Sequence, residues 1–420
     1  MKDYIIKKGE NKYSPFAGTK LISDIINKLN MEDSINKTFG LPLSNRGYKP
    51  FDYIKSIISG LISGADCIKD IDNIKEDGVV KKIWNLKNIP HSSRIGIFLS
   101  RFSSTNNINL IHNIMQDIAI KAIHKSKLKG VTLDGDATFV KTDKQGVSDY
   151  CYKGFKSLSM LLGFIAETSS CIYQELGKGS KSPALNLDKQ LYSVNDKLSS
   201  NNIKLKNYRS DSAGYQANIV NYCNANSINF YIRGKNINLD FSLIKDWDIL
   251  YDKYGSPIDD TEISETVHTM DRTEAFRLIV VRKQKEYSVP SLFGESFYEY
   301  HTIATNSDLS KEEVFHFYNE RGKCEYYIKS VKWDLSLRKL PCGTEEANAL
   351  WVNTALIAYN ALKLFSVITG LNKSLKSLRY LIFNTVGRIV SHANKTYLKL
   401  FCNNKKYNLF LYLREKCLTL

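Results

Sequence analysis

An α/β fold is predicted for this 420-residue chain, with a strand-rich middle set between helical ends. Three observations predict it. Apolar residues recur at helical spacing through 18–125. From 130 to 232 the pattern changes to short alternating runs interleaved with helical ones. A long apolar segment at 350–369 then returns to helical length and composition. The length suits two or three domains.

The N-terminal helices are read from Leu21, Ile22, Ile25, Ile26 and Leu29, and from Ile54, Ile57, Ile58, Leu61 and Ile62, each set filling one helix face. Strands are expected at 130–140, 159–167, 171–176, 204–209 and 228–233. In the first, alternation sends Val131 and Leu133 to one face and Asp134, Asp136 and Thr138 to the other. Two acids on one strand face repel unless a cation or solvent relieves them. Asp211 falls at the carboxyl end of the strand at 204–209, where open α/β sheets hold ligands, and it also reads as a helix-capping or turn aspartate. The interval from Asp211 to Glu325 is longer than one or two core elements need. It predicts an insertion at about 234–305, with strand signals at 247–251, 276–282 and 296–303.

The stretch 318–332 reads as helix, and at about 3.6 residues per turn Tyr318, Arg321, Glu325 and Lys332 fall within roughly 60° of arc. Ile328, Val331 and Leu335 occupy the adjoining flank and anchor it. A carboxylate between two cations suits a metal ion bound beside a phosphate; the plainer alternative is a solvated face with ion pairs one turn apart. The segment 350–369 is long enough to cross a bilayer. It carries Asn353, Asn360 and Lys363, and Thr344 and Gly370 bracket it as N-cap and terminator, so a buried helix is expected. From about 371 the tail is basic.

The formal net charge is +16, and the excess is spread along the chain, which favours a polyanionic partner such as nucleic acid. The eight cysteines form no Cys-x-x-Cys pair, which argues against structural zinc and for reduced cytoplasmic thiols. The N-terminus lacks the apolar stretch of a secretory signal. No Gly-rich phosphate loop is present, so no nucleotide cofactor is expected. The seven histidines are dispersed and not central to a site.

Asp136, Asp211 and Glu325 together resemble the catalytic triad of the DDE transposases of bacterial insertion sequences. The resemblance rests on Leu133 to Thr138 around the first acid, Arg209 to Tyr215 around the second, and the Tyr-Arg-Glu-Lys signature at Tyr318, Arg321, Glu325 and Lys332. Ser44 to Pro50, and Leu340 to Cys342 with Ala347 and Asn348, look like the same family's group with a long β insertion, so the likeness spans about 20–370. Gly322 stands where several relatives carry tryptophan, so a role for an aromatic there does not transfer.

The resemblance implies a ribonuclease-H-like catalytic core at 126–370, interrupted by a mostly β insertion at 234–305. A helical DNA-binding domain at 1–125 precedes the core, and a basic helical region at 371–420 follows it. It implies Mg²⁺, with Mn²⁺ as substitute, held by Asp136, Asp211 and Glu325, with Asp134 as a second-choice ligand. Tyr318, Arg321 and Lys332 would contact the DNA end, with Lys329 on the same helix counted beside them. Trp247 is the candidate to stack on a flipped base. The expected activity is binding of terminal inverted repeats, followed by strand cleavage and strand transfer. The partners would be double-stranded DNA at element ends and target, and a second copy in the DNA complex, with no membrane, in a cytoplasmic, nucleoid-associated setting. Two other readings use the same features: a metal-dependent ribonuclease-H-like nuclease or resolvase, and a non-catalytic DNA-binding regulator derived from a transposase.

Overall fold

The computed structural model describes residues 6–7, 12–44, 46–284, 298–393 and 395–420. The N-terminal third is helical: α1 (Lys20–Lys28), α2 (Glu32–Phe39), α3 (Pro50–Ser63), α4 (Gly78–Ile83), α5 (Ser92–Arg101) and α6 (Thr105–Lys125). The local chemistry that bounds these helices is legible. Pro50 opens α3, where its missing N–H and preset φ do no harm. Gly64 closes it with a φ of 114°, and Ser104 caps α6 through Asn107 N.

The middle of the chain follows as β1 (Gly130–Lys141), β2 (Asp149–Tyr150), β3 (Lys156–Ile165), β4 (Ser170–Lys178), α7 (Leu187–Ser199), β5 (Lys204–Ser210), α8 (Ala217–Ala225) and β6 (Asn229–Arg233). β3 pairs antiparallel with both β4 and β1, and β5 and β6 run parallel to β1 in the order β4-β3-β1-β5-β6. This is the ribonuclease-H-like arrangement. The two-residue β2 shares the outer edge of β3 with β4.

The insertion supplies β7 (Asp248–Tyr251), β8 (Pro257–His268), β9 (Phe276–Gln284) and β10 (Tyr298–Thr305). Its strands do not form a separate sheet. β10 pairs antiparallel with β6, and β9, β8 and β7 follow outward, so the insertion lengthens the central sheet at its far edge. Residues 296–297 of the last expected strand lie outside the described residues.

After the sheet come α9 (Lys311–Asn319), α10 (Gly322–Asp334), α11 (Glu345–Thr369) and the short α12 (Leu375–Leu378). The C-terminal region adds to its helices a hairpin, β11 (Val386–His392) with β12 (Lys395–Phe401), before α13 (Asn404–Leu418) closes the chain. Ser14 and Gly387 exchange backbone hydrogen bonds of 2.9 Å, which ties the two ends of the chain together.

Three apolar clusters hold these layers. One face of β1 and β5 packs on α7 and α8 through Val131, Leu133, Leu191, Leu205 and Ile219. The other side of the sheet, through Met160, Leu162 and Phe164 of β3, joins α10, α11 and the N-terminal helices in one continuous core. Ile263, Ile279 and Ile303 of the insertion pack against Val314 of α9.

The helix α11 shows why its polar residues matter. Thr344 accepts from Ala347 N at its start, and Gly370, with φ 71°, ends it. It is long and apolar enough to cross a membrane, but it is buried along most of its length. Asn360 donates to the carbonyls of Met115 (2.8 Å) and Cys171 (2.7 Å) and accepts from Cys171 N (2.9 Å), bolting α6 to β4. A buried amide satisfied on three sides fixes one packing arrangement.

Candidate active site

The parallel register of β1 and β5 sets two of the candidate residues side by side. Asp134 lies opposite Arg209 and Gly135 opposite Ser210, so the next positions along the two strands are Asp136 and Asp211. Since side chains alternate, Asp134, Arg209, Asp136 and Asp211 share one face as two successive rungs.

The first rung is neutralised. Arg209 Nε donates to Asp134 Oδ1 at 2.6 Å and Nη2 to Oδ2 at 2.8 Å, with Asp134 0% exposed and Arg209 1%. Arg209 Nη1 reaches on to the Phe317 carbonyl at 2.7 Å. Burial pushes the Asp134 carboxyl up, and the Arg209 fork opposes that push. The expectation that Asp134 serves as a metal ligand is therefore corrected: both its oxygens accept from one guanidinium, and no solvent reaches it. Arg209, which sequence reasoning passed over, is the residue responsible. Its signal was present, as a cation two positions before Asp211 on the same strand face.

The second rung is not neutralised across the strands. Asp136 Oδ1 accepts from Ala137 N at 2.8 Å, and its Oδ2 lies 3.3 Å from Arg321 Nη2, a counter-charge brought in from outside the sheet. Burial raises the Asp136 carboxyl to about 6; Arg321 pulls it back, while the charges of Asp211 and Glu325 push it further up. Asp211 ends β5 and turns the chain, with Oδ1 accepting from Ala213 N at 3.0 Å. It is thus both the cap foreseen as the plain alternative and a neighbour of Asp136.

Gly135 separates the two aspartates for a steric reason. A Cβ there would lie 2.5 Å from Gln190 Oε1 of α7, so the strand could not pack so closely on that helix. Gly135→Ala is expected to lower stability by about 1–3 kcal/mol, the usual range for overpacking. Chemical denaturation measures it, and an unchanged midpoint would mean that Gln190 moves aside freely.

Glu325 is exposed on the first turn of α10, whose buried side consists of Cys324, Tyr327, Ile328 and Val331. The single helix expected over 318–332 is interrupted. Arg321 N bonds to Tyr318 O and Cys324 N to Arg321 O, three residues back rather than four, so the chain tightens between α9 and α10. The break leaves Tyr318 on α9, half-buried against the insertion cluster, and sets Arg321 at the N-cap of α10, pointing at Asp136. Burial raises the Tyr318 phenol, and Arg321 opposes this. Lys332 Nζ donates to Thr138 Oγ1 (3.1 Å) and the Phe139 carbonyl (2.8 Å), lashing α10 to the end of β1. Two of its three donors are thereby engaged. Lys329 is exposed.

Trp247 does not present a free ring. It precedes β7, its Nε1 donates to the Ile244 carbonyl at 2.8 Å, and the Arg282 guanidinium lies 4.0 Å over its ring. A cation from β9 thus occupies part of the surface of a half-buried indole that base stacking would need. Beside Asp211 opens a cleft of about 700 Å³, lined among others by Tyr150, Tyr152, Lys181 and Lys235, none of which the sequence singled out.

Among the described residues, no three His, Cys, Asp or Glu side chains stand close enough to form a ready metal cage. The donor chemistry nevertheless fits a divalent cation. The charges of Asp211 and Glu325 act on Asp136, which is largely buried with its pKa raised, and the compensating charge is a guanidinium whose Nε is buried without a hydrogen-bond partner. Hard oxygen donors of this kind suit Mg²⁺.

No curated protein matches. Among solved structures, the chain is similar to a piggyBac transposase in a synaptic complex with hairpin DNA, at 10% identity and a TM-score of 0.45, over 97% of this chain and 81% of that one. The family described as transposase DDE domain group 1 matches residues 7–417.

Proposed function

Because the chain belongs to the group 1 DDE-domain transposases, we propose that it binds the terminal inverted repeats of its own element and catalyses metal-dependent strand cleavage and strand transfer by direct transesterification. The observation that carries this reading is the second rung. Asp136 on β1 and Asp211, one residue past the end of β5, follow the last paired rung of Gly135 and Ser210, and the charge of Asp211 pushes the Asp136 carboxyl up, a repulsion that a bound cation relieves.

Asp136, Asp211 and Glu325 are the residues to hold divalent ions. When bound, such ions activate the attacking oxygen and stabilise the leaving one in an in-line displacement. Arg321 is the counter-ion of Asp136 in the free protein. Its planar fork also matches a phosphate, so a DNA end arriving at the site offers it a second partner. Tyr318 packs beside it and can hydrogen-bond the same backbone. Lys332 keeps Glu325 in place by holding α10 against β1, with one donor left for a phosphate. The net charge of +16 supports DNA as the partner. A second copy is proposed to join in the DNA complex, one for each element end.

Divalent binding is testable without any reaction. Mn²⁺ at a hundredfold excess over its Kd should stabilise the folded chain by about 2.7 kcal/mol, read as a rise of a few degrees in Tm. Asp136→Asn should abolish the rise. A wild-type melting curve indifferent to both Mg²⁺ and Mn²⁺ would remove the metal from the proposal.

A further inference from the structure

Past Glu325, the exposed side of α10 carries aromatic and cationic side chains that the chemistry above leaves unused. At about 100° per residue they follow one another around the helix as Glu325, Lys329, Trp333, Tyr326, Ser330 and Asp334, an arc of roughly 180°. The opposite arc is the buried one. Trp333 is 60% exposed and Tyr326 54%, large rings turned to solvent on a helix that already has an apolar side.

The arc ends at a pocket of about 180 Å³ between α10, α11 and the segment leading into α12, lined among others by Tyr326, Ser330, Lys363, Ser366, Lys373 and Ser374. Lys363 Nζ lies 5.0 Å from the ring centre of Tyr359 and 5.8 Å from that of Tyr327. Among the described residues it makes no ion pair or hydrogen bond. Burial pulls its pKa down to about 8, and Asp334, the acid that acts on it, accepts a hydrogen bond from Ser330 at 2.8 Å. A half-buried ammonium resting on ring faces, with one acid acting on it but no direct ion pair among the described residues, is incompletely neutralised.

We propose that this face is a second nucleic-acid contact, separate from the three acids: unpaired bases of a DNA strand leaving the acids stack on Trp333 and Tyr326, and a backbone phosphate of the same strand enters the Lys363 pocket. The inference rests on the reading that the substrate is DNA. An aromatic ring on a helix surface can reach a base face only where the base is unstacked from its neighbours, and such stacking tolerates any base. Lys329, Lys363 and Lys373 supply positive charge along or at the end of the arc, between the acids Glu325 and Asp334, while Arg338, 4.9 Å over the Trp333 ring, is already paired with Asp66 and leaves that ring 60% exposed. The row also begins at Glu325, so a strand lying along it would be continuous with the site.

The test uses the full chain and two probes, a blunt duplex and the same duplex ending in an oligo-dT tail, with binding followed by fluorescence anisotropy. The wild type should prefer the tailed duplex. Trp333→Ala and Tyr326→Ala should each weaken tailed binding by about 5- to 150-fold, the worth of a stacked base, and leave blunt binding within about twofold. Both rings are more than half exposed, so neither change threatens folding. Lys363→Met, which keeps the apolar stem, should weaken tailed binding as well. Tailed binding at wild-type strength by the Trp333→Ala, Tyr326→Ala double variant overturns the proposal while the DNA reading stands. Inorganic phosphate that binds wild type but not Lys363→Met, with tailed binding unaltered by that change, would give the pocket to a free anion and also overturn it. A wild-type chain that binds neither duplex removes both readings.

Discussion

Asp136→Ala, Asp211→Ala and Glu325→Ala are each expected to reduce DNA strand cleavage in Mg²⁺ or Mn²⁺ to background while largely sparing DNA binding. The two aspartates are neighbours across β1 and β5, and Glu325 raises the Asp136 carboxyl from the facing helix, so the three act as one negative cluster. Removing any member lowers the charge that holds a cation and leaves the basic surfaces untouched. Cleavage assays run beside gel shifts on the DNA flanking the coding region separate the two effects. Normal cutting by Glu325→Ala would sink the central reading. Loss of binding in parallel with cutting would mean that the acids organise the fold instead. Asp211→Ala also removes the cap on Ala213 N, so its melting temperature is the control to read with it.

Asp134→Ala and Arg209→Ala are expected to fail for a different reason, by unfolding. Each strips one partner from a bidentate pair that is almost wholly buried, and an uncompensated charge in such a place costs about 3–5 kcal/mol. Arg209 additionally bonds the Phe317 carbonyl and lies 4.7 Å from the Phe317 ring, so its loss frees the end of α9 as well. Chemical denaturation should show both single variants strongly destabilised. The double variant Asp134→Leu, Arg209→Met should recover much of the difference, since no charge is then left unpaired. A loss of under about 1 kcal/mol in Asp134→Ala would show the pair to be loosely held and would reopen Asp134 as a possible ligand.

Much of the fold was legible because its signals are local. Alternation in 130–141 marks β1, and the Thr344 and Gly370 boundaries of α11 follow from a side-chain cap and a left-handed glycine. β8 escaped notice because its sequence is mostly polar. Asp259, Asp260, Glu262 and Glu265 hide the period, and the strand is held by its neighbour, with Glu262 directly opposite Arg282 in register and 2.6 Å from its Nε. The break between α9 and α10 was likewise hidden, since 318–332 keeps helical spacing and only the three-residue hydrogen bonds around Arg321 reveal the change. The strands of the insertion could be read one by one, but their attachment to β6 could not, because no local pattern specifies a partner edge.

By itself the sequence determined the family, the run of strands and helices, and which acids were worth considering, since capping, alternation and motif spacing are properties of neighbouring residues. Only the tertiary structure decided what each charge meets. Asp134 and Asp136 are indistinguishable by alternation, two acids on one face of one strand. Cross-strand register sets Arg209 against the first and Asp211 against the second, so one becomes a neutral buried pair and the other half of a like-charged rung. The same holds for the aromatics: each of the two rings meets a guanidinium, Arg282 over Trp247 and Arg338 over Trp333, but Trp247 is half-buried while Trp333 is 60% exposed on the glutamate helix. Electrostatic and stacking energies depend on distance through space, and residues far apart in the chain set those distances when the sheet closes.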